Sequence, residues 1–318
     1  MQRLIRLLIY AASLVGYPIF PIFPLFHAVK ASEPARFISG VSLSRSTGNH
    51  LFVPVRVNNR PAWFAVDTGA ALSIVDSNKA KVLGLAKSAR VVEVPKQIEV
   101  NSRIVPVALV DSLYVGSENL GSGPVALLDL KDFRAKLRGS GAHVSMDGIL
   151  GLDILQRYSA VIDCRNQRIF LETPGTDPRS IVQFAKRNRY KAVPMRITHS
   201  GALEIEGRIG ANQYSFVVDT GGFATLLPLQ VARRNAIPVI GTTVNAKGIH
   251  SKERPVGVTI AQQFDLGKYP LGPALIGVTA LPEGPDDLRY QFGGLIGADF
   301  FFDHGGIIDV GKQTLYFK

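Results

Sequence analysis

Cysteine is almost absent from this sequence of 318 residues, because Cys164 is the only one. A single thiol cannot form an intramolecular disulfide, which excludes the disulfide-stapled class of secreted folds. Stability has to come from a hydrophobic core, and a chain of this length with 46% apolar residues can build one. Cys164 itself lies in the apolar segment 160–164, where we expect a buried structural thiol and neither a nucleophile nor a metal ligand.

The sequence also lacks the spacings that bind metals and phosphates. None of the six histidines belongs to a His-Glu-x-x-His segment, and no Cys-His spacing of a zinc site is present. Segment 293–297 is rich in glycine, but the Lys-Ser or Lys-Thr pair of a phosphate-binding loop does not follow it. We therefore expect no metal site and no cofactor.

Acidic residues are fewer than basic ones, 25 against 36, and the formal net charge is +11. A basic chain raises the question of a nucleic-acid partner. The densest basic cluster consists of Lys186, Arg187, Arg189 and Lys191, and only Tyr190 stands beside it as an aromatic platform. Because single-strand binding surfaces combine several aromatic side chains with basic ones, we expect a solvated face here and no nucleic-acid partner.

The long apolar run of this chain is at its start, over residues 4–26, with Arg3 and Arg6 around its beginning and the small-residue segment 29–31 after it. This pattern is typical of an export signal, so we exclude residues 1–31 from the fold and expect an extracytoplasmic protein, periplasmic or secreted. The alternative is an uncleaved membrane anchor, since the run approaches the roughly 20 residues that span a bilayer. Three prolines inside the run favour the signal.

What the sequence does contain is an internal repeat. The triplet Asp-Thr-Gly follows an apolar run at Asp67 and again, 152 residues later, at Asp219. Segment 148–153 has its counterpart 146 residues later, in segment 294–299. Chance predicts about 0.06 such triplets in a chain of this composition, so the two copies are not coincidental. The repeat predicts two homologous units, and the turn-rich stretch 173–178 separates them.

The two units are expected to be lobes of similar structure, covering residues 32–175 and 176–318. Each begins with a strand pair typical of a β-hairpin. These predicted strands are Leu51–Val57 with Ala62–Val66, and Leu203–Ile209 with Tyr214–Val218. Short helices are expected as well, one over 77–83 capped by Asp76 and one beginning at Pro228. Asp153 and Asp299 precede further helical segments, so we interpret them as helix caps. The predicted fold is mainly β and bilobal, with short helices.

The two Asp-Thr-Gly triplets indicate a particular chemistry. A carboxylate between an apolar strand and a glycine lies where the chain leaves a sheet and turns tightly. If two similar lobes pack about a pseudo-twofold axis, Asp67 and Asp219 become neighbours. Two carboxyl groups in contact share one proton, so that one acts as a general acid while the other activates water as a base. The pair predicts attack of water on a carbonyl group, a reaction that needs neither a metal nor a cofactor.

On these triplets the chain resembles the retropepsin-like aspartic proteases, in a single-chain tandem form analogous to the bilobal pepsins. The resemblance implies a monomer that hydrolyses peptides or proteins, with Asp67 and Asp219 as the catalytic dyad. It also implies that Thr68 and Thr220 interlock the two loops through hydroxyl-to-backbone bonds. Supporting hydrophobic-hydrophobic-Gly segments are implied at 149–151 and 295–297.

The same resemblance implies further features of the site. Gly69 and Gly221 would present backbone amides to the carboxylates. A β-hairpin flap would close over substrate, and its candidates are Val94–Arg103 in the first unit and Asn245–His250 in the second. Position 222 is a glycine, where most relatives carry Ala, Ser or Thr.

A second function stays open, namely a non-catalytic exported peptide-binding module of the same fold. Such a module needs neither carboxylate, whereas both are present, which favours the enzyme. A purely structural secreted β-sandwich protein leaves the two Asp-Thr-Gly copies unexplained.

Overall fold

The computed structural model describes residues 4–6, 40–85, 97–100, 103–171, 179–248, 253–281 and 284–318. Within them most of the regular structure is β-strand, and the prediction of a mainly β, bilobal fold is confirmed. The export segment 1–31 lies outside the described residues except for Leu4–Arg6, which forms a short strand parallel to Asn245–Lys247. The predicted linker 173–178 also lies outside them.

The described strands of the first half are short to medium in length. They are β1 (Leu4–Arg6), β2 (Val41–Ser42), β3 (Ser44–Arg45), β4 (Leu51–Val57), β5 (Arg60–Val66), β6 (Ile74–Asp76), β7 (Gln97–Val100), β8 (Arg103–Val110), β9 (Leu113–Val115), β10 (Glu118–Asn119), β11 (Gly123–Leu128), β12 (Arg134–Lys136), β13 (His143–Ser145), β14 (Gly148–Leu150), β15 (Val161–Asp163) and β16 (Arg168–Phe170).

The second half has a similar set of strands. They are β17 (Lys191–Ile197), β18 (Leu203–Ile209), β19 (Asn212–Val218), β20 (Leu226–Pro228), β21 (Ile240–Lys247), β22 (Arg254–Ala261), β23 (Phe264–Leu266), β24 (Tyr269–Pro270), β25 (Ala274–Thr279), β26 (Phe292–Ile296), β27 (Ile307–Asp309) and β28 (Thr314–Phe317). The described helices are α1 (Leu152–Arg157), α2 (Arg179–Arg187), α3 (Leu229–Arg234) and α4 (Ala298–Asp303). Across the described ranges, no helix has the length and apolar character needed to cross a membrane.

The sheet of each lobe is built around the same arrangement of strands. In the first lobe the order is β10-β9-β4-β5-β14-β6-β11-β8-β7, with β14 parallel to β5 and antiparallel to β6. In the second lobe the order is β21-β22-β25-β20-β26-β19-β18, with β26 parallel to β19 and antiparallel to β20. The strand that leads to each Asp-Thr-Gly triplet is therefore central and paired on both sides.

The lobes are joined by a sheet in the order β17-β28-β27-β15-β16-β2, which continues the sheet of the second lobe because β17 also pairs with β18. At its centre β15 of the first half pairs in antiparallel register with β27 of the second half. Ile162 pairs there with Ile308, which is its counterpart in the repeat, 146 residues later. The two strands contribute buried side chains to one hydrophobic core that contains residues of both lobes. The joining sheet fixes the position of one lobe against the other.

The first predicted hairpin is present, but its turn is tighter than the sequence indicated. The segment 58–61 was expected to be the turn, whereas Pro61 pairs with Arg56 inside the ladder. The turn consists of Asn58 and Asn59, whose φ angles of 48° and 63° are those of a two-residue hairpin turn. Asparagine tolerates this left-handed conformation better than other non-glycine residues, so the pair of asparagines sets the register.

The helix predicted over residues 77–83 is wrong, because the chain forms a series of turns there. Asp76 does not cap a helix. Its Oδ1 accepts bonds from the amide of Asn78 at 3.1 Å and from the amide of Leu130 at 3.1 Å, which ties the turn to the end of β11. The helix expected to begin at Pro228 does form, but it begins one residue later, at Leu229, and Pro228 is its N-cap residue.

Candidate active site

Each Asp-Thr-Gly triplet follows a central strand, β5 for Asp67 and β19 for Asp219. The strands beside them hold both loops in place. The amide of Asp67 donates to the Leu150 carbonyl at 3.1 Å, and the amide of Asp219 donates to the Ile296 carbonyl at 2.9 Å. The two predicted hydrophobic-hydrophobic-Gly segments therefore lie directly against the loops.

The glycine that ends each supporting segment is required by close packing of backbone. A Cβ added at Gly151 would lie 2.5 Å from the carbonyl carbon of Leu72, in the loop that follows Asp67. An added Cβ at Gly297 would meet the backbone of Ala224 in the same way. Because real Cβ atoms do not approach backbone so closely, only glycine lets the supporting segment reach the loop.

The structure brings Asp67 and Asp219 together at the contact between the lobes. Their carboxyl groups lie close enough for the charge of Asp67 to raise the pKa of Asp219. Both residues are almost completely buried, with exposed fractions of 1% and 0%. An added Cβ at Gly69 would lie 2.5 Å from Oδ1 of Asp219, and one at Gly221 would collide with the Asp67 carboxyl group. These two glycines leave the space in which the carboxyl groups meet.

The two threonines of the triplets lock the loops together reciprocally. Thr68 donates its hydroxyl to the Val218 carbonyl at 2.8 Å, and Thr220 donates its own to the Val66 carbonyl at 2.8 Å. Each hydroxyl oxygen also accepts the backbone amide of the other threonine, at 3.0 Å in both directions. Neither loop can therefore adopt this arrangement without the other lobe.

Backbone amides face both carboxyl groups, with a difference between the two loops. The amide of Gly69 donates to Oδ1 of Asp67 at 2.8 Å, as the resemblance implies. In the second loop the bond to Oδ1 of Asp219 comes from Gly222, at 2.9 Å. The amide of Gly221 is also oriented toward both carboxyl groups and favours their ionised forms.

Burial and mutual contact shift the titration of the pair. Burial raises the pKa of Asp67 to about 6, against the effect of three backbone amides that favour its ionised form. Burial also raises the pKa of Asp219 well above its usual value, and the negative charge of Asp67 raises it further. The two carboxyl groups therefore titrate as a pair that shares one proton, with both pKa values raised.

In each lobe a hydrogen bond between a hydroxyl and a carboxylate supports the loop that follows the triplet. The interpretation of Asp153 and Asp299 as helix caps is therefore wrong. Helices α1 and α4 begin after glycine, with no side-chain cap. Asp153 instead accepts the Ser73 hydroxyl at 2.7 Å, and Asp299 accepts the Thr225 hydroxyl at 2.8 Å. Both hydroxyls lie six residues after a triplet aspartate. That repeated offset was the signal that would have found them in the sequence.

A β-hairpin stands in each lobe where the flap was expected. In the first lobe β7 and β8 pair from Gln97 with Pro106 to Val100 with Arg103, so the candidate Val94–Arg103 falls on this hairpin. In the second lobe β21 and β22 form the hairpin, and the first part of Asn245–His250 lies on it. Residues 94–96 and 101–102 of the first candidate and residues 249–250 of the second lie outside the described residues.

Two lobes that each supply a buried Asp-Thr-Gly loop to one shared centre define the architecture of a pepsin-like or retropepsin-like aspartic protease. The comparison with protein families agrees, since residues 53–154 match the family model described as aspartyl protease. The resemblance to these proteases is thereby confirmed over the first lobe. No curated protein matches the sequence.

Several solved structures are similar to this chain. An aspartic proteinase from Irpex lacteus is 12% identical, with a TM-score of 0.48 over 87% of this chain and 96% of that one. A retropepsin-like aspartic protease from Rickettsia conorii is 18% identical, with a TM-score of 0.29 over 42% of this chain and 90% of that one. Basic 7S globulin from soybean is 10% identical, with a TM-score of 0.42 over 87% of this chain and 94% of that one.

Proposed function

We propose that this protein is an aspartic-type endopeptidase that hydrolyses peptide bonds in peptides or proteins. One observation carries the proposal, namely that two buried carboxyl groups, those of Asp67 and Asp219, lie next to each other between reciprocally locked loops. A protein that only binds peptides gains nothing from two buried carboxyl groups that repel each other once both are ionised, and their contact is costly without a catalytic use.

The arrangement supports a general acid–base mechanism. Asp67, ionised, removes a proton from a water molecule as the water oxygen attacks the carbonyl carbon of the substrate. Asp219 gives its proton to the carbonyl oxygen, and a tetrahedral diol results. The diol collapses when the nitrogen of the scissile bond receives a proton from Asp67, which expels the amine and restores the charge of that carboxylate. One hydroxyl of the former diol returns its proton to Asp219 as its oxygen becomes the carbonyl oxygen of the new carboxylic acid.

The substrate is an extended peptide that lies between the two hairpins. Extended peptides bind by adding backbone hydrogen bonds to exposed strands, and the hairpins β7–β8 and β21–β22 offer such strands in both lobes. Since one chain supplies both aspartates, the active species is a monomer. Sedimentation of the mature protein at concentrations where it is active tests this, and activity confined to a dimer would contradict it.

The experiment that tests the enzyme is incubation of the purified mature chain with a peptide library, followed by mass spectrometry. We expect cleavage, and we expect a transition-state analogue of aspartic proteases to suppress it. The variants Asp67→Asn and Asp219→Asn serve as matched controls, because asparagine keeps the shape and loses the proton chemistry. Peptides that bind without being cut in the wild type would instead favour a binding module of the same fold.

We also propose an extracytoplasmic location, either periplasmic or secreted, on the basis of the apolar start of the chain. N-terminal sequencing of the protein from the exported fraction tests it. A new terminus at or near Ser32 supports a cleaved signal, and a retained Met1 in the membrane fraction supports an anchor. An unprocessed protein in the cytoplasmic fraction would contradict both.

A further inference from the structure

A turn in each lobe reaches the Asp-Thr-Gly loop of the other lobe. In the first lobe residues 46–50 form the turn, with a bond of 2.8 Å from the Ser46 amide to the His50 carbonyl. In the second lobe the Thr198 amide donates to the Ala202 carbonyl at 2.9 Å in the same way. The two turns are 152 residues apart, which is also the separation of the two triplets. They therefore occupy equivalent positions in the internal repeat.

The contacts that these turns make with the opposite lobe are not equivalent. Gly201 lies so close to Ala71 of the first lobe that an added Cβ would be 2.9 Å from the Ala71 Cβ. At the equivalent position the first lobe has Asn49, which donates through Nδ2 to the Phe223 carbonyl of the second lobe at 3.1 Å. Both turn residues have a left-handed backbone, with φ angles of 79° and 68°. The lobes therefore meet through close packing on one side and through a directional hydrogen bond on the other.

The carbonyl that accepts Asn49 differs from its counterpart in the first lobe. The carbonyl of Ala71 accepts the Asp153 amide of its own lobe at 3.2 Å. Phe223 is the counterpart of Ala71, and among the described residues its carbonyl accepts Asn49 and no amide of its own lobe. The first lobe thus provides a hydrogen bond that the second loop does not obtain from its own lobe.

Two arginines fix the orientation of the Asn49 amide group. Its Oδ1 accepts Nη2 of Arg45 at 2.7 Å and Nη2 of Arg138 at 3.0 Å. Because a guanidinium group only donates hydrogen bonds, the amide oxygen has to face the arginines and the NH₂ group has to face the other lobe. The guanidinium of Arg45 lies in turn over the ring of Phe302 in helix α4, 3.4 Å from its centroid. The donor is therefore already oriented toward the second loop.

The bond from Asn49 reaches the second loop next to a contact of the dyad. The Gly222 amide donates to Oδ1 of Asp219 at 2.9 Å, and the carbonyl that accepts Asn49 belongs to the following residue. We propose that Asn49 is a positioning residue, which holds the second loop so that the Gly222 amide keeps its bond to Asp219. The inference rests on the proposed function, because small displacements of reacting groups cost large factors in rate.

Two substitutions separate this role from simple bracing of the turn. Asn49→Asp keeps the shape and both arginine contacts, but it places an acceptor oxygen against the Phe223 carbonyl. Asn49→Gly copies Gly201 and removes every side-chain bond, and glycine adopts the left-handed backbone without strain. If the residue only braced its own turn, glycine would be the more harmful substitution. If the contact with the second loop matters, aspartate is the more harmful one.

Amide hydrogen exchange, followed by NMR, tests the inference without hydrolysis. We expect the Gly222 amide to exchange about tenfold faster in Asn49→Asp and about threefold faster in Asn49→Gly, because a loosened loop exposes it. The Gly69 amide, which donates to Asp67 in the other loop at 2.8 Å, is the internal reference and should not change.

Two results of the exchange experiment would overturn the inference. One is equal acceleration of the Gly222 and Gly69 amides, since that indicates only a loss of global stability. The other is unchanged exchange of the Gly222 amide. If Asn49→Asp does not fold, the ratio of the two rates in Asn49→Gly decides.

Hydrolysis provides a second measurement. We expect kcat to fall about tenfold in Asn49→Asp and about threefold in Asn49→Gly, with KM changed less than about twofold, because Asn49 acts through the loop. Asn188→Asp is the matched control, since Asn188 donates to the Phe184 carbonyl at an exposed site in helix α2 and its replacement should leave both constants unchanged. A larger loss in Asn49→Gly than in Asn49→Asp would contradict the inference. If the wild type cleaves no peptide, the proposed function fails, while exchange of the Gly222 amide still decides the role of Asn49.

Discussion

Thr68 and Thr220, which interlock the two loops, should each contribute strongly, and equally, to the free energy of unfolding. Replacing Thr68 by valine keeps the shape but removes the bond to the Val218 carbonyl and the acceptor of the Thr220 amide. Both partners are buried backbone groups, and an unpaired one costs about 1 to 2 kcal/mol. We therefore expect Thr68→Val to lower the free energy of unfolding by about 2 to 4 kcal/mol. Thr220→Val should cost the same, since its bonds to Val66 and Thr68 have the same lengths.

Urea denaturation of the mature protein measures this loss. Circular dichroism follows the whole chain, and fluorescence of Trp63, the one tryptophan of the sequence, follows the first lobe. Thr314→Val is the control, because its hydroxyl makes an exposed bond to the Lys312 carbonyl and its removal should cost less than about 0.5 kcal/mol. Turnover should fall about a hundredfold in Thr68→Val, because small displacements of the dyad are costly. A loss no larger than that of the control, or a marked inequality between the two interlock variants, would refute the reasoning.

Four further predictions concern the dyad and its support. Asp67→Asn and Asp219→Asn should each lower kcat by at least about a thousandfold with the fold intact, and a variant with full activity would remove the paired mechanism. Activity should rise as the pH rises through about 6, since below this value Asp67 is protonated and no base is left. In Gly222→Ser the new Cβ would lie 3.0 Å from Oδ2 of Asp219, and the serine hydroxyl adds a hydrogen-bond donor to the ionised dyad. The rise of activity with pH should therefore move to lower pH. A rise at the same or a higher pH would contradict this. Gly151→Ala should cost at least about 2 kcal/mol in urea denaturation, because of the overlap with backbone. Gly241→Ala, whose added Cβ meets no described atom within 4 Å, should be neutral, and equal costs in both would refute the packing explanation.

The sequence was most informative where a local pattern determines structure directly. The strand Leu51–Val57 has its predicted bounds, because alternation of apolar residues matches a half-buried strand. Strand Leu203–Ile209 is confirmed for the same reason. The Asp-Thr-Gly triplets placed both loops at strand ends, since an apolar run followed by Asp and Gly leaves few alternatives.

Local patterns failed where tertiary contacts decide the outcome. Segment 77–83 has the composition of a short helix, but the Asp76 carboxylate accepts the amide of Leu130, in the loop that follows β11. Asp153 lies in the first turn of α1 and not at its cap position, and Ser73, 80 residues earlier, provides its partner.

The sheet that joins the lobes has a consequence for the order of folding. Its central pair, Ile162 with Ile308, closes a loop of 146 residues, and contacts of such long range form slowly because chain entropy is lost before they stabilise the fold. Each lobe can bury much of its own core earlier, through hairpins such as β4–β5 and β18–β19. The dyad then assembles last, when the lobes dock. Appearance of activity during refolding is therefore a kinetic marker of lobe docking, and it should lag behind the recovery of secondary structure.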